Sequence, residues 1–477
     1  MSVKKQHSID MCSGSIADKL LLFALPLMAS SLLQLLFNAA DVVVVGRFAG
    51  KEALAAVGSN TSLINLLINL FVGLSVGTNV VVARDLGAGR HDRVGESVHT
   101  AMTLALASGA VMSLLGVALA RQLLEWTSSP TDVIDLASVY LRIYFLGLPA
   151  NFVYNFGAAI LRAQGDTQRP LYFLTFAGMV NVGLNLLFVI PLQMSVAGVA
   201  LATIIAQYIS AALVVRCMIR EQGPLHLDLK RLGLSRRVVG QIIQVGLPAG
   251  FQGVVFSLSN VVIQSALNSF DDAVLVAGSS ASANIEGFVY VSMNAFYQAA
   301  ITFVGQNYGA AKCDRVDKAA CQCVGFAVVF GLVLGNLAYL FGAPLAGIYA
   351  PGEPEVIQQA LVRMLYICCP YFICGVMDTL VGVLRGLGSS VIPMVVSIIG
   401  ACGLRLLWVA VVFPVYRTPA SLYLSYPITW TVTGLFHLLF LLAVVRKRAF
   451  AKVRQDGPAY LAAEGRHPEQ TYQGPGR

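Results

Sequence analysis

The amino-acid sequence predicts an all-α integral membrane protein with twelve transmembrane helices in two six-helix lobes, the lobes being parallel repeats of one another. Three observations carry this. Hydrophobic residues make up 57% of the chain and charged residues 12%, with a mean hydropathy of +0.73; a soluble domain carries about a quarter charged residues. Apolar runs long enough to cross a bilayer, which takes about 20 residues, recur along the whole chain. The second half of the chain repeats the first. The net charge of +8 is read as basic loops that hold a membrane protein in place, not as a nucleic-acid surface.

The first span, 17–45, sets the pattern. Pro26 removes a backbone donor within it and is expected to bend the helix. Asp41 puts a carboxyl group inside the apolar run, where a charge costs at least ~2.5–3.5 kcal/mol, so it is expected to face a bundle interior or a wet cavity. Gln34, Asn38 and Asp41 stand at i, i+4 and i+7, on one helical face. Further spans fall near 53–79, 94–120, 135–161, 170–192 and 194–219. Three of them carry asparagine pairs at i, i+4: Asn65 with Asn69, Asn151 with Asn155, and Asn181 with Asn185. Singly, such residues hydrogen-bond between helices and pack. Together with the first-span stripe they are expected to line one wet cavity whose only ionisable group is Asp41.

The second set of spans falls near 239–265, 275–303, 318–344, 356–384, 391–415 and 422–445. Its ionisable groups stand elsewhere, at Glu286, Asp378 and Arg405. Glu286, Tyr290, Asn294 and Tyr297 follow one another at i, i+4, i+8 and i+11 as a polar face. An arginine near mid-membrane needs a partner, and Glu286 or Asp378 is the one expected for Arg405.

The chain thus divides into a tail (1–16), a first lobe (17–219), a charged linker (220–238), a second lobe (239–446) and a second tail (447–477). Residues 1–16 are polar and the run after them is too long for a signal h-region, so no cleavable signal is expected. Leu25-Pro26 recurs as Leu247-Pro248, Asn38 as Asn260, Gly87 as Gly309 and Asp92-Arg93-Val94 as Asp314-Arg315-Val316, all at a shift of 222. The stretch 161–170 recurs at 384–393 with a shift of 223. Six spans, an even number, separate the copies, so both have the same orientation about an axis along the membrane normal. Such a pair places a substrate site between two bundles that rock about it. Asp41 corresponds to Ile263 in the second copy and Gln34 to Phe256. Most Lys and Arg, among them Lys19, Arg84, Arg220, Arg315 and Arg385, fall on the side of the termini, which places both termini in the cytoplasm.

The nine cysteines form no CxxC pair, no His stands at zinc-ligand spacing, and no nucleophile–His–acid set is present. The glycine-containing runs at 85–89 and 384–390 lack the Lys-Ser/Thr of a phosphate loop. An enzyme, a metal site and an organic cofactor are therefore not expected.

The stretch NAADVVVVGRFAGKEALAAVG (38–58), the pair GAGRHDRV (87–94) and GAAKCDRV (309–316), and the twin LRxxG…P signatures resemble the multidrug and toxic compound extrusion (MATE) transporters, over nearly all of 15–446. The likeness is to their prokaryotic DNA-damage-inducible and uncharacterised branch. It implies the twelve-span 6+6 layout and export of amphipathic, often cationic organic compounds in exchange for H⁺ or Na⁺. Asp41 and Asn38 match the family's acidic first-helix motif, and Asn181 the polar position of the fifth helix. Asn185 stands where an acid is often found, which weakens a two-carboxylate relay. Phe256 stands at or beside the seventh-helix Glu of the Na⁺-coupled branch. On this reading Asp41, Asp378 and Glu286 are the expected cation-coupling residues. The protein is expected to be a monomer in the cell membrane, meeting only the lipid bilayer and small organic substrates. The rival is a flippase of the same superfamily moving a lipid-linked substrate. Its phosphates call for a basic cavity, whereas Arg405 and Arg142 are the only basic residues expected within the spans.

Overall fold

The computed structural model describes residues 8–126, 133–451 and 453, without some side chains between 51 and 66. Lys4, Lys5, the end of the C-terminal tail and the side chain of Asn65 lie outside the described residues. The first half of the chain forms α1 (Ile16–Val44), α2 (Lys51–Gly87), α3 (His91–Trp126), α4 (Ile134–Leu146), α5 (Leu148–Ala163), α6 (Gln168–Val189) and α7 (Ser195–Arg220). The second half forms α8 (Arg236–Asn268), α9 (Ala273–Gly309), α10 (Cys313–Leu340), α11 (Gly342–Tyr349), α12 (Pro354–Ile367), α13 (Tyr371–Gly386), α14 (Val391–Ser397), α15 (Leu404–Val411) and α16 (Pro419–Phe440). Among the described residues ten helices are long and apolar enough to cross a membrane, and twelve spans result when each of two bent pairs counts as one.

The bent pairs are α4 with α5, at 46°, and α12 with α13, at 48°. Pro149 and Pro370 stand at the two breaks, and each lacks the N–H that would continue the preceding turn. The expected bend at Pro26 is not of this kind. α1 runs as α-helix through Pro26 and only widens to a π-turn at Val45–Ala49. A second π-turn, Ile398–Gly403, joins α14 to α15.

Each half has its own apolar core. Leu141, Phe145, Leu148 and Phe156 centre the first. Ile367, Tyr371, Tyr423 and Trp430 centre the second. A third core joins the halves. It packs Leu20, Phe23, Ala24 and Leu27 of α1 against Phe296 and Phe303 of α9, with Phe23 edge-on to Phe303 at 5.8 Å between ring centres. The first half of α1 is therefore shared between the two bundles.

The bundles meet at one end, the end that carries Gly87 and Gly309, through backbone contact. A Cβ on Gly87 would lie 1.9 Å from the Gln306 carbonyl oxygen, and one on Gly309 would lie 2.1 Å from that of Arg84. Arg84 and Gln306 are themselves repeat equivalents, so the contact is a near-twofold pair. Between α2 and α8 the same closeness continues, with a Cβ on Gly73 falling 2.1 Å from the Gly250 nitrogen. The segment before α1 braces this end. Arg315 donates to the carbonyls of Met11, Ser13 and Gly14 at 3.0–3.1 Å, and Asn307 donates to that of Met11 at 3.1 Å.

Candidate transport site

In the first bundle α1 and α6 bring Asp41 and two asparagines together. Gly178 opens a slot for the Phe37 ring, since a Cβ there would lie 1.9 Å from it. Further along the same two helices, Asn185 Nδ2 donates to Asp41 Oδ1. Asn185 also donates to Asn181 Oδ1 at 3.4 Å, and Asn181 Nδ2 donates to Thr203 Oγ1 of α7 at 3.5 Å. Asn181 and Asn185 are buried. Asp41 has no cationic partner within 4 Å among the described residues.

The other expected members of this cavity lie elsewhere. Gln34 and Asn38 are exposed on α1. Asn155 donates to the carbonyl and the side-chain oxygen of Asn151 at 2.9 and 3.0 Å, a bond internal to α5. Asn69 crosses to α8, donating to Ser257 Oγ at 3.4 Å, and lines a cavity of the second bundle. The i, i+4 spacing fixed which residues share a face but not which neighbour each face meets.

The second bundle holds a cavity of about 620 Å³. Tyr290, Asn294 and Tyr297 line it together with Glu286, Asp378 and Arg405. The ion pair differs from expectation. Glu286 pairs with Arg363 of α12, not with Arg405. Arg363 Nε and Nη2 donate to the two carboxylate oxygens at 2.8 and 3.0 Å, and its Nη1 donates to Ser279 at 2.6 Å. Arg405 instead reaches Asn260 and Thr429, each at 3.5 Å, and lies over the Tyr426 ring at 4.1 Å. Asp378 forms no ion pair among the described residues.

Two cavity-lining arginines stand outside the expected set. Arg363 falls within the tenth span, 356–384, where a basic residue inside an apolar run is itself the signal. Arg385 reads as a loop residue because it ends α13. Its long side chain turns back into the protein, donating to the Tyr297 hydroxyl and, at 2.8 Å, to Gln252 Oε1. The spans thus carry three cavity-lining arginines, Arg363, Arg385 and Arg405, and the expectation of Arg405 and Arg142 alone is corrected.

The chain matches the MatE family model twice, over residues 26–187 and 248–411. It belongs to the MATE family. The two matches begin 222 residues apart, the shift of the internal repeat. Two Bacillus subtilis relatives are named probable multidrug resistance proteins. YpnP is 27% identical over 83% of this chain and 88% of its own length. YoeA is 24% identical over 82% and 86%. A solved structure described as the outward-facing conformation of a multidrug resistance MATE family transporter superposes with a TM-score of 0.84 at 20% identity, covering 94% of this chain and 99% of that one. This MATE chain therefore has the family's all-helical fold, and its two halves carry different chemistry: an amide-bound carboxyl group in one, an arginine-rich cavity in the other.

Proposed function

We propose that the chain is a secondary active exporter of amphipathic organic compounds, driven by inward proton movement through Asp41. Residues 17–219 and 239–446 act as the two rocking lobes and 220–238 as their cytoplasmic linker. Both termini face the cytoplasm, following the basic loops. The closed end at Gly87 and Gly309 is then cytoplasmic, and the chain is in an outward-open state. The DNA-damage-inducible branch is the proposed place within the family.

The observation that carries proton coupling is the pairing of Asp41 with Asn185. Its carboxylate has amide contact and no cationic neighbour, so taking up a proton is the direct way to remove a costly charge from the span. Asn185 presents an N–H to it, whereas a hard cation needs several oxygens aimed at one point. Asp41 lies in the first bundle and the cavity in the second, so proton and substrate act on one another through lobe shape.

Uptake of a panel of aromatic cations and anions into proteoliposomes, with ΔpH and Na⁺ gradients imposed separately, tests this. Movement under ΔpH alone is expected. Movement under a Na⁺ gradient and none under ΔpH would end the proton reading. The three arginines also favour the flippase reading, since lipid-linked substrates carry phosphate.

A further inference from the structure

The second-bundle cavity has an excess of buried positive charge that the protein itself does not neutralise. Five charged side chains line it: Glu286, Asp378, Arg363, Arg385 and Arg405. Glu286 and Arg363 cancel in their two-pronged pair. Arg385 and Arg405 remain, against the single carboxyl group of Asp378. Arg405 is 1% exposed, and both of its polar contacts are with neutral oxygens at 3.5 Å, the outer limit of a hydrogen bond. Arg385 is 4% exposed and bonds a phenol and an amide. The Nε atoms of both have no partner, and neither forms an ion pair among the described residues.

Two buried guanidinium groups with one carboxyl group between them leave a net positive charge, which is costly in a membrane and calls for an anion. Their planar fork fits phosphate or carboxylate oxygens. Beside them stands an aromatic wall. Arg405 covers Tyr426, whose ring lies 5.6 Å from that of Trp430, which lies 5.2 Å from that of Tyr371. The volume, about 620 Å³, is that of a small-molecule site.

We propose that this cavity takes organic anions that carry a planar aromatic group, with Arg405 and Arg385 holding the phosphate or carboxylate and Tyr426 and Trp430 flanking the ring. This names the substrate class of the exporter proposed above and rests on that reading. An aromatic cation in the same place would lie against two buried guanidinium groups, which disfavours it.

The test is equilibrium binding to the purified full-length protein, using 1-naphthyl phosphate, inorganic phosphate, ethidium and farnesyl phosphate. 1-Naphthyl phosphate is expected to bind at least tenfold more tightly than each of the others. Arg405→Gln and Arg385→Gln should each weaken it tenfold or more, and Arg405→Gln should do so without lowering Tm, because Arg405 bonds only neutral oxygens. Arg405→Lys should recover part of the loss. Unchanged 1-naphthyl phosphate binding in both glutamine variants overturns the proposal, and so does ethidium binding more tightly than 1-naphthyl phosphate. Farnesyl phosphate binding as tightly as 1-naphthyl phosphate removes the ring requirement and gives the site to a lipid phosphate. The probe comparison on the unaltered protein decides even where a variant fails to fold. If ethidium alone binds and moves under ΔpH, the anion proposal fails and the export reading stands. If 1-naphthyl phosphate binds and nothing moves under any gradient, the export reading fails and the anion site stands.

Discussion

At the residue scale, the charges lining the cavity separate into one pair that satisfies itself and others without an ion-pair partner among the described residues. Arg363 and Glu286 satisfy each other with two bonds. Removing one partner of such a pair leaves the other charge alone and costs ~3–5 kcal/mol. Arg363→Ala and Glu286→Gln should therefore lower Tm in detergent strongly, whereas Arg405→Ala should change it little; equal losses in all three would contradict the assignment. Asp378→Asn removes the cavity's unpaired negative charge and should leave binding of an aromatic anion intact or tighter, which titration with 1-naphthyl phosphate would read. That Glu286 takes part in an ion pair with an arginine was legible as one of two alternatives in the sequence, because an isolated charge inside an apolar span is costly. Which arginine takes part was not. Arg363 lies in α12, 77 residues away in sequence, and helical periodicity gives faces without neighbours. Arg385 escaped for a different reason. The rule that basic residues mark loops locates the backbone, while a long side chain carries its charge well away from it.

At the element scale, closure rests on a pair of glycines. Gly87 and Gly309 let α2 and α9 meet backbone to backbone, where a Cβ would fall 1.9 and 2.1 Å from carbonyl oxygens. Overpacking of a tight contact costs ~1–3 kcal/mol. Gly87→Ala and Gly309→Ala should thus each shift the protein away from the state closed at this end, seen as longer distances between spin labels placed on the α2–α3 and α9–α10 connections. Unchanged distance distributions in both variants would refute a gating role. The repeat made this pair legible, since equivalent residues near the axis relating two copies meet each other. The bends were less so. Pro26 resembles any helix-breaking residue in the sequence, yet α1 runs through it. A membrane helix tolerates an interior proline, because neighbouring helices, side chains and small local adjustments re-satisfy the one acceptor it frees. Pro149 instead stands in the first turn of α5 and Pro370 at the N-cap of α13, where the chain changes direction.

At the scale of the whole molecule, the duplicated architecture was the most legible feature, because twelve apolar spans and a repeat shift of 222, then 223, survive any uncertainty about individual faces. The division of labour between the halves was only partly so. The sequence marked Asp41 as absent from the second copy, but the arginine-rich cavity appears only once α8, α9, α12, α13, α15 and α16 are assembled. The lobe boundary is also less sharp than the repeat suggests, since the first half of α1 packs into the core of α9. Cysteine substituted at Asp228 should react with impermeant reagents only from the cytoplasmic side. Labelling from outside would invert the topology and place the closed end outside. The central claim is that Asp41 moves the proton while the second bundle holds the substrate. The most direct measurement is ΔpH-driven transport of one substrate by Asp41→Asn, Asp378→Asn and the unaltered protein in the same proteoliposomes. Asp41→Asn is expected to bind substrate and lose ΔpH-driven transport while Asp378→Asn retains it; full transport by Asp41→Asn, with loss in Asp378→Asn, would place the coupling proton in the second bundle instead.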